Sequence, residues 1–390
     1  MTALPRPRRV LVLNRVGHLG GVERVILLLS RGLGMHGYEP ILACPDAVGE
    51  LATAARRNGL PVMPVHFDRM RITANPLSLA RYLLRWRHCA REVERICRET
   101  GAAIIHVHHP VGALYAASAA RRLGLPLVLH VHESLPARPL YGFALRRAAR
   151  CCAGLISVSS AGHALLRAVR VTGPAATVAN GTDLAASGAA PPETAEMLQG
   201  NGPHIGVFGV IEPRKGQDVF LQAAAQLVER HPTAHFWIVG GLALQDKRGY
   251  AEALHAAAED PRLIGRVTFT GFRSDVACWL QGMDVVVQAS KYHESLSMVV
   301  LEAMALGRRV VATKIGGTAD AITDGHTGLL VPPGDASALA GAIDHALGPE
   351  GARLAAAAYG EARHRFSPER MCQGVAEVFD RILDAKAHGL

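Results

Sequence analysis

The sequence predicts an α/β protein built from two doubly wound domains with parallel sheets. Three observations carry this prediction. The chain has 390 residues, room for two domains at about 150 residues each. Short runs that are apolar along their whole length recur between longer helical patterns, as strands covered on both faces do. The pattern then stops in an Ala-, Gly- and Pro-rich stretch and starts again. Hydrophobic residues are 49% and charged residues 19% of the chain. That composition supplies packed cores and excludes a disordered chain.

In the first half, strands are expected at residues 10–13, 41–44, 62–65, 104–107, 127–131 and 155–158. A helix over 22–33 is set by Val25, Ile26, Leu28, Leu29 and Leu33. Asn180-Gly181-Thr182-Asp183 reads as a turn, and residues 185–203 as a linker without periodicity. Strands resume at 205–208, 235–239, 267–270, 285–288 and 310–313. The last helix has Ser367 as its cap and Pro368 at its first position, with Val375, Val378, Phe379, Ile382 and Leu383 on one stripe. The expected organisation is a domain over 1–184, the linker, a domain over 204–366, and a helix over 367–390 packing back on the first domain. Two such domains would face each other across a cleft, with ligands at the carboxyl ends of strands.

Several classes are excluded or disfavoured. No apolar run approaches the 18 or so residues that span a bilayer, so a soluble or peripheral protein is expected. Pro5-Arg6-Pro7-Arg8-Arg9 and the short apolar run after it read as entry into a strand, not as a signal peptide. Seven cysteines without a Cys-x-x-Cys spacing point to a reducing cytoplasm, with Cys151 and Cys152 as inert core residues. No Gly-x-Gly-x-x-Gly and no Gly-Lys-Ser/Thr occurs, which argues against dinucleotide dehydrogenases and P-loop NTPases. The net charge of +9 is unevenly placed: residues 1–185 hold 24 Arg, no Lys and 10 acidic residues, +14, and the remainder carries −5. An acidic partner for the first half is expected, either a membrane face, nucleic acid or a phosphorylated substrate.

The most informative stretch runs from Gln288 to Asp335. A strand leads into Ala289-Ser290-Lys291-Tyr292-His293-Glu294-Ser295-Leu296-Ser297, then a helix over 298–306 ended by Gly307, a strand, and Ile315-Gly316-Gly317-Thr318. The backbone N–H groups of Leu296, Ser297 and Met298 open a helix at a strand's carboxyl end, where an anion can sit. Glu294 and Glu302, eight positions apart, flank that cradle. Carboxylates accepting hydroxyl protons around a phosphate site suit a sugar nucleotide. The spacing alone is unspecific, since Glu361/Glu369 and Glu369/Glu377 share it.

Here the chain resembles a known family. Glu294 to Gly307, with Val310-Val311-Ala312-Thr313 and Gly316-Gly317, is similar to the E-x7-E signature of retaining GT-B glycosyltransferases, family 4, the "glycosyl transferases group 1". The similarity continues through Asp324 to Asp335 and reappears at Gly209 to Gly216, at Asn180 to Asp183 and at Gly20-Gly21-Val22-Glu23-Arg24. The resemblance implies a GT-B fold and assigns roles by position. Glu302 would bind the nucleotide ribose hydroxyls, and Glu294 would contact the donor sugar at the reaction centre. Leu296, Ser297 and Met298 would approach the distal phosphate. Lys215 would neutralise the departing diphosphate, and Gly20 and Gly21 would admit the donor close to the backbone. His132 would reach the transferred sugar. The family often has Arg where Val210 stands, so Arg214 beside Lys215 is expected to supply the second cation. Asp320 and His293 also depart from the common pattern.

No catalytic metal or other cofactor is expected. His106, His108, His109, His130 and His132 invite a metal reading, and His106 and His108 would share a strand face. Without His-Glu-x-x-His or a cysteine set, most of them read as core or cleft donors. The segment from Arg69 to Arg98 holds eight Arg among Leu77, Leu79, Leu83, Leu84, Trp86, Val93 and Ile96. With Arg138, Arg146, Arg147 and Arg150 it favours an anionic membrane surface over a solvated face or nucleic acid. The expected function is hexose transfer from a nucleotide sugar to a membrane- or lipid-linked glycan acceptor in cell-surface polysaccharide synthesis, at the cytoplasmic face. The alternatives are transfer to a soluble acceptor, a GT-B epimerase or synthase, and a GT-B-like binding module without turnover.

Overall fold

The computed structural model describes residues 7–67, 75–132, 139–168, 173–183, 192–198, 202–242, 248–292 and 294–388. Two compact units share the chain. Unit 1 is Met1–Gly181 with Pro368–Leu390, and unit 2 is Thr182–Ser367.

In unit 1 the strands are β1 (Arg8–Leu13), β2 (Tyr38–Cys44), β3 (Val62–Pro64), β4 (Ile104–Val107), β5 (Leu127–Val131), β6 (Gly154–Ser157) and β7 (Ala175–Thr177). They form one parallel sheet in the order β3-β2-β1-β4-β5-β6-β7. Side chains alternate between its faces. Leu11, Leu13, Ile105, Val107, Leu127 and Leu129 meet Val93 and Ile96 of helix Pro76–Thr100 and the alanines of helix Pro110–Leu123. The last helix, Pro368–Ala387, packs with helix Gly21–Gly32. Its Phe379 is 0% exposed, with its ring edge-on to Tyr38 and His106, centroids 5.2 Å away in both cases.

Unit 2 holds β8 (His204–Phe208), β9 (His235–Val239), β10 (Val267–Gly271), β11 (Val285–Gln288), β12 (Arg309–Thr313) and β13 (Leu329–Val331). Its sheet is parallel in the order β10-β9-β8-β11-β12-β13. In both sheets the order reverses at one point, between β1 and β4 and between β8 and β11. Loops leaving such neighbouring strands diverge to opposite sides and open a crevice at the carboxyl ends.

The structure departs from the sequence reading at four places. The three-residue edge strands β7 and β13 were not anticipated. Part of the expected linker is a helix, Pro192–Met197. Its buried Thr194 donates its hydroxyl to Asp275, 2.6 Å, and accepts from Arg273, 2.8 Å. Residues 185–191 and 199–201 of that linker lie outside the described residues. Cys151 is exposed and not a core residue, whereas Cys152 is buried; all seven thiols are free. Finally, His109 leaves the histidine run and caps helix Pro110–Leu123, its Nδ1 accepting from the Val111 N–H at 3.1 Å. Among the described residues no helix is long and apolar enough to cross a membrane.

The C-terminal helix is expected to be an integral part of unit 1. Phe379→Ala should cost about 3–5 kcal/mol, the range for a buried aromatic truncated in a core that relaxes only partly. Urea unfolding monitored by circular dichroism measures this; a loss under about 1 kcal/mol would mean that the helix is dispensable there.

Candidate active site

The crevice of unit 2 is made where the loops after β8, β11 and β12 converge. The β8 loop runs from Gly209 through the short helical turn Pro213–Lys215. Because β8 and β11 are neighbours, this loop meets the one carrying Ser290 and Glu294, and the Lys291 N–H donates to the Arg214 carbonyl, 2.8 Å. Gly216 has φ +70°, and a Cβ there would run into the Ala289 carbonyl oxygen. Gly316, at φ +52°, lies equally close to the Glu294 carbonyl, which also accepts from the Gly317 N–H at 3.3 Å. Only glycine fits such approaches at such dihedrals.

These contacts bury the Glu294 carboxylate, a residue 7% exposed. Its Oε2 accepts from Lys215 Nζ at 2.8 Å, from Ser290 Oγ at 2.9 Å and from Arg214 Nη1 at 3.4 Å. Arg214 is pinned in turn by Glu212, 2.8 Å. Burial alone would raise the Glu294 pKa. The Lys215 charge and hydrogen bond, the Arg214 guanidinium and the Ser290 hydroxyl outweigh it and hold the carboxyl below its ordinary 4.5. The group is therefore ionised at neutral pH.

Beyond Glu294, buried Leu296 and Ser297 lead into helix Met298–Ala305. Ser297 stands at the cap in an extended conformation, and its side chain makes no capping bond. The first helical N–H groups therefore receive no cap from the Ser297 side chain. Glu302 lies within this helix, buried. Val210, at the position where a cation was absent from the sequence, is half-exposed, and its carbonyl accepts from Gln217 Nε2, 3.0 Å. Arg214 is the cation that stands with Lys215 on one carboxylate. Asp320 falls in the first turn of helix Thr318–Ala321, and His293 lies outside the described residues.

Sequence reasoning missed the scaffold of this loop. Thr313 Oγ1 donates to the Ser290 carbonyl, 2.7 Å, and the Thr313 N–H to Gln288 Oε1, 3.2 Å. The available signal was Gln288 itself, a buried polar residue ending an otherwise all-valine strand.

In unit 1, helix Gly21–Gly32 begins after the β1 loop. Glu23 reaches back to the Gly20 N–H, 3.1 Å, and accepts from Asn14 Nδ2, 3.0 Å. The Leu19 N–H donates to Glu50, 3.0 Å. Glu23 stands at the third helical position, from which a glutamate reaches back to the cap N–H, so Glu23 was readable and Glu50 was not. Gly21 is exposed at the first helical position. His132 follows β5 and is buried; its Nε2 lies 2.8 Å from His108 Nδ1. Burial lowers its pKa to about 3, so the ring is neutral at physiological pH. Among the described residues, two groups have ligating atoms within 4.8 Å of one another, His106, His108 and His130 in the core, and His66, His88 and Glu92 at the surface.

Comparison with known proteins gives a consistent picture. A family model described as "Glycosyltransferase Family 4" matches residues 19–186, and one described as "Glycosyl transferases group 1" matches residues 202–348. The chain is 30% identical to alpha-D-kanosaminyltransferase of Streptomyces kanamyceticus, across 75% of this chain and 79% of the relative. It is 28% identical to phosphatidyl-myo-inositol mannosyltransferase of Mycolicibacterium smegmatis, across 94% and 91%. Other curated relatives are matched over less than two thirds of their own length, one over 45% and another over 60%. HepE of Anabaena, solved in complex with UDP-glucose, superposes with a TM-score of 0.80 at 24% identity over 95% of this chain and 99% of HepE.

The Glu294–Lys215 pair should show itself in the pH dependence of stability. A carboxyl whose folded pKa is depressed contributes stability above its unfolded value and loses it as pH falls through the folded one. Lys215→Ala should cost about 3 kcal/mol near neutral pH, at the low end for a broken buried pair because Arg214 remains. The gap from wild type should narrow below the ordinary value of 4.5 as Glu294 takes up its proton. Urea titrations across that range check it; a gap independent of pH would dissociate the two residues.

Proposed function

Because the chain belongs to glycosyltransferase family 4, the group 1 glycosyl transferases, and has their GT-B fold, we propose that it is a retaining hexosyltransferase using a nucleotide-sugar donor. The acceptor is a membrane- or lipid-linked glycan in cell-surface polysaccharide synthesis. The observation that carries this reading is the pair Lys215 and Arg214 on buried Glu294, beside the start of helix Met298–Ala305, which the Ser297 side chain does not cap.

In this reading unit 2 binds the donor and unit 1 the acceptor. Glu302 accepts the ribose hydroxyls. The amides of Leu296, Ser297 and Met298 take the distal phosphate. When the bond between sugar and diphosphate breaks, negative charge grows on the leaving oxygen. Lys215, with Arg214, then stabilises that charge from a fixed position, so little reorganisation is needed. Glu294 holds the transferred sugar and meanwhile keeps both cations in place. In unit 1, Gly20 and Gly21 admit the donor close to the backbone, and neutral His132 offers a hydrogen bond to the sugar. The acceptor oxygen enters on the face the diphosphate leaves, which retains the anomeric configuration. No obligatory metal takes part.

Two features support a membrane-linked acceptor. Helix Pro76–Thr100 exposes Leu77, Leu83 and Leu84, 71%, 57% and 64%, among exposed Arg81, Arg85 and Arg87. Phe143 is 59% exposed near exposed Arg146, Arg147 and Arg150. Apolar side chains within a basic field suit an anionic bilayer surface. A relative matched over 91% of its own length bears phosphatidyl-myo-inositol in its name, which agrees. Residues 68–74 and Arg138, also counted in the sequence reading, lie outside the described residues.

Turnover with a panel of UDP-, GDP- and ADP-sugars tests the enzyme. Lys215→Ala should lower kcat by at least about 100-fold, as for loss of one donor to a developing oxyanion. Glu302→Ala should act mainly on the KM of the donor. Unchanged transfer in Lys215→Ala would remove the assigned role, and nucleotide binding without release of free nucleotide by wild type would favour a non-catalytic module. Separately, the protein should co-sediment with anionic vesicles at low salt and leave them as salt rises. Absence of binding at low salt would favour a soluble acceptor.

A further inference from the structure

On one face of the unit 1 sheet, imidazoles stand among valine, isoleucine and phenylalanine. The parallel register sets His106 of β4 beside Val12 of β1 and Val128 of β5. Alternation then places His108, two residues on, and His130, two after Val128, on that same face. The ring centroids of His106 lie 4.3 Å from His108 and 5.4 Å from His130, with 5.3 Å between the latter two. One ring nitrogen from each lies within 4.8 Å of the others. Phe379 closes the layer over His106.

All three side chains are buried, at 0%, 4% and 0% exposure in sequence order. Among the described residues, both ring nitrogens of His106 and His130, and Nε2 of His108, have no hydrogen-bond partner. A neutral imidazole carries one N–H and one lone pair, and each normally finds a partner when it leaves water. Five ring nitrogens without one, in a layer that valine would fill, need an explanation. Burial keeps the rings neutral, so their lone pairs are available. The one bond made, between His108 Nδ1 and His132 Nε2 at 2.8 Å, holds the ring through Nδ1 and leaves Nε2 without a partner. Metal-bound imidazoles are held from behind in this manner.

We propose that His106, His108 and His130 form a buried site for one zinc-type divalent metal ion, structural to unit 1 and joined to His132 through the His108 hydrogen bond. Three imidazole nitrogens, with a water as the fourth ligand, suit zinc at about 2.0–2.1 Å from each nitrogen. Closing on the ion draws the nitrogens inward, and rings without other bonds are free to turn that way. The site is inaccessible from solvent, so loading accompanies folding. The surface group is the weaker candidate: its His66 and His88 are exposed, and both already face the Glu92 carboxylate at 2.8 and 3.4 Å.

The test uses the untagged full chain, expressed with zinc and dialysed, with metal measured by mass spectrometry. Unfolded protein refolded with Co²⁺ adds an optical readout. Wild type should keep about one zinc per chain and show the visible bands of tetrahedral cobalt. His106→Leu and His130→Leu should each lose at least about tenfold of the metal, while His88→Ala keeps it. The proposal falls if wild type holds no zinc and refolds with Co²⁺ colourless. It falls equally if the metal survives both core substitutions or disappears in His88→Ala. Should the leucine variants fail to fold, the wild-type zinc and cobalt measurements still decide.

Discussion

The architecture of unit 2 turns on keeping one carboxylate charged where water barely reaches it. Removing an ion from water costs several kcal/mol after relaxation, and a partner repays this only with good geometry. Glu294 obtains two cations and a hydroxyl on a single oxygen. Those donors arrive only because three loops come within contact of one another. Gly216 and Gly316 make that possible, each lying against a backbone carbonyl where any side chain would collide. The glycines of the motif and its charges are therefore one constraint, written at separated positions.

How much of this could be read from the sequence depended on how local the cause was. Strands β4, β5, β9 and β11 were located to the residue, because each is a short apolar run with a single histidine or glutamine in it, buried over nearly its whole length. The start of the last helix was equally clear from Ser367 and Pro368. By contrast, Lys215 and Glu294 are 79 positions apart, and no spacing rule joins them. They meet because β8 and β11 are neighbours at the point where strand order reverses. Resemblance to a family named both residues; topology explains why they touch. Ser290 carried no signal of its own, since a serine after a strand is commonplace. Thr194 was hidden in a stretch whose composition reads as linker, and its role comes from Asp275 and Arg273, some 80 residues away.

Helix Pro76–Thr100 shows a different limit. Its arginines and leucines read as one amphipathic pattern, yet the helix changes character along its length. Leu77, Leu83 and Leu84 are exposed, whereas Cys89, Val93, Ile96 and Cys97 are buried in the core. The second half is fixed by the sheet beneath it, and the first half extends a basic, partly apolar face. A periodicity averaged over the whole segment cannot show where that change falls.

The division of the chain also sets an order of events during synthesis. Thr182–Ser367 is continuous, but unit 1 is closed by Pro368–Ala387, which leaves the ribosome after all of unit 2. Domains generally fold as units while the chain emerges, the earlier first. Here the earlier unit must wait with Tyr38 and His106 lacking their cover of Phe379, while the later one has every strand it needs. The nascent protein thus carries an incomplete first unit for the time taken to make nearly half the chain. That interval is where chaperone dependence, premature pairing of open sheet faces and sensitivity to translation rate would concentrate.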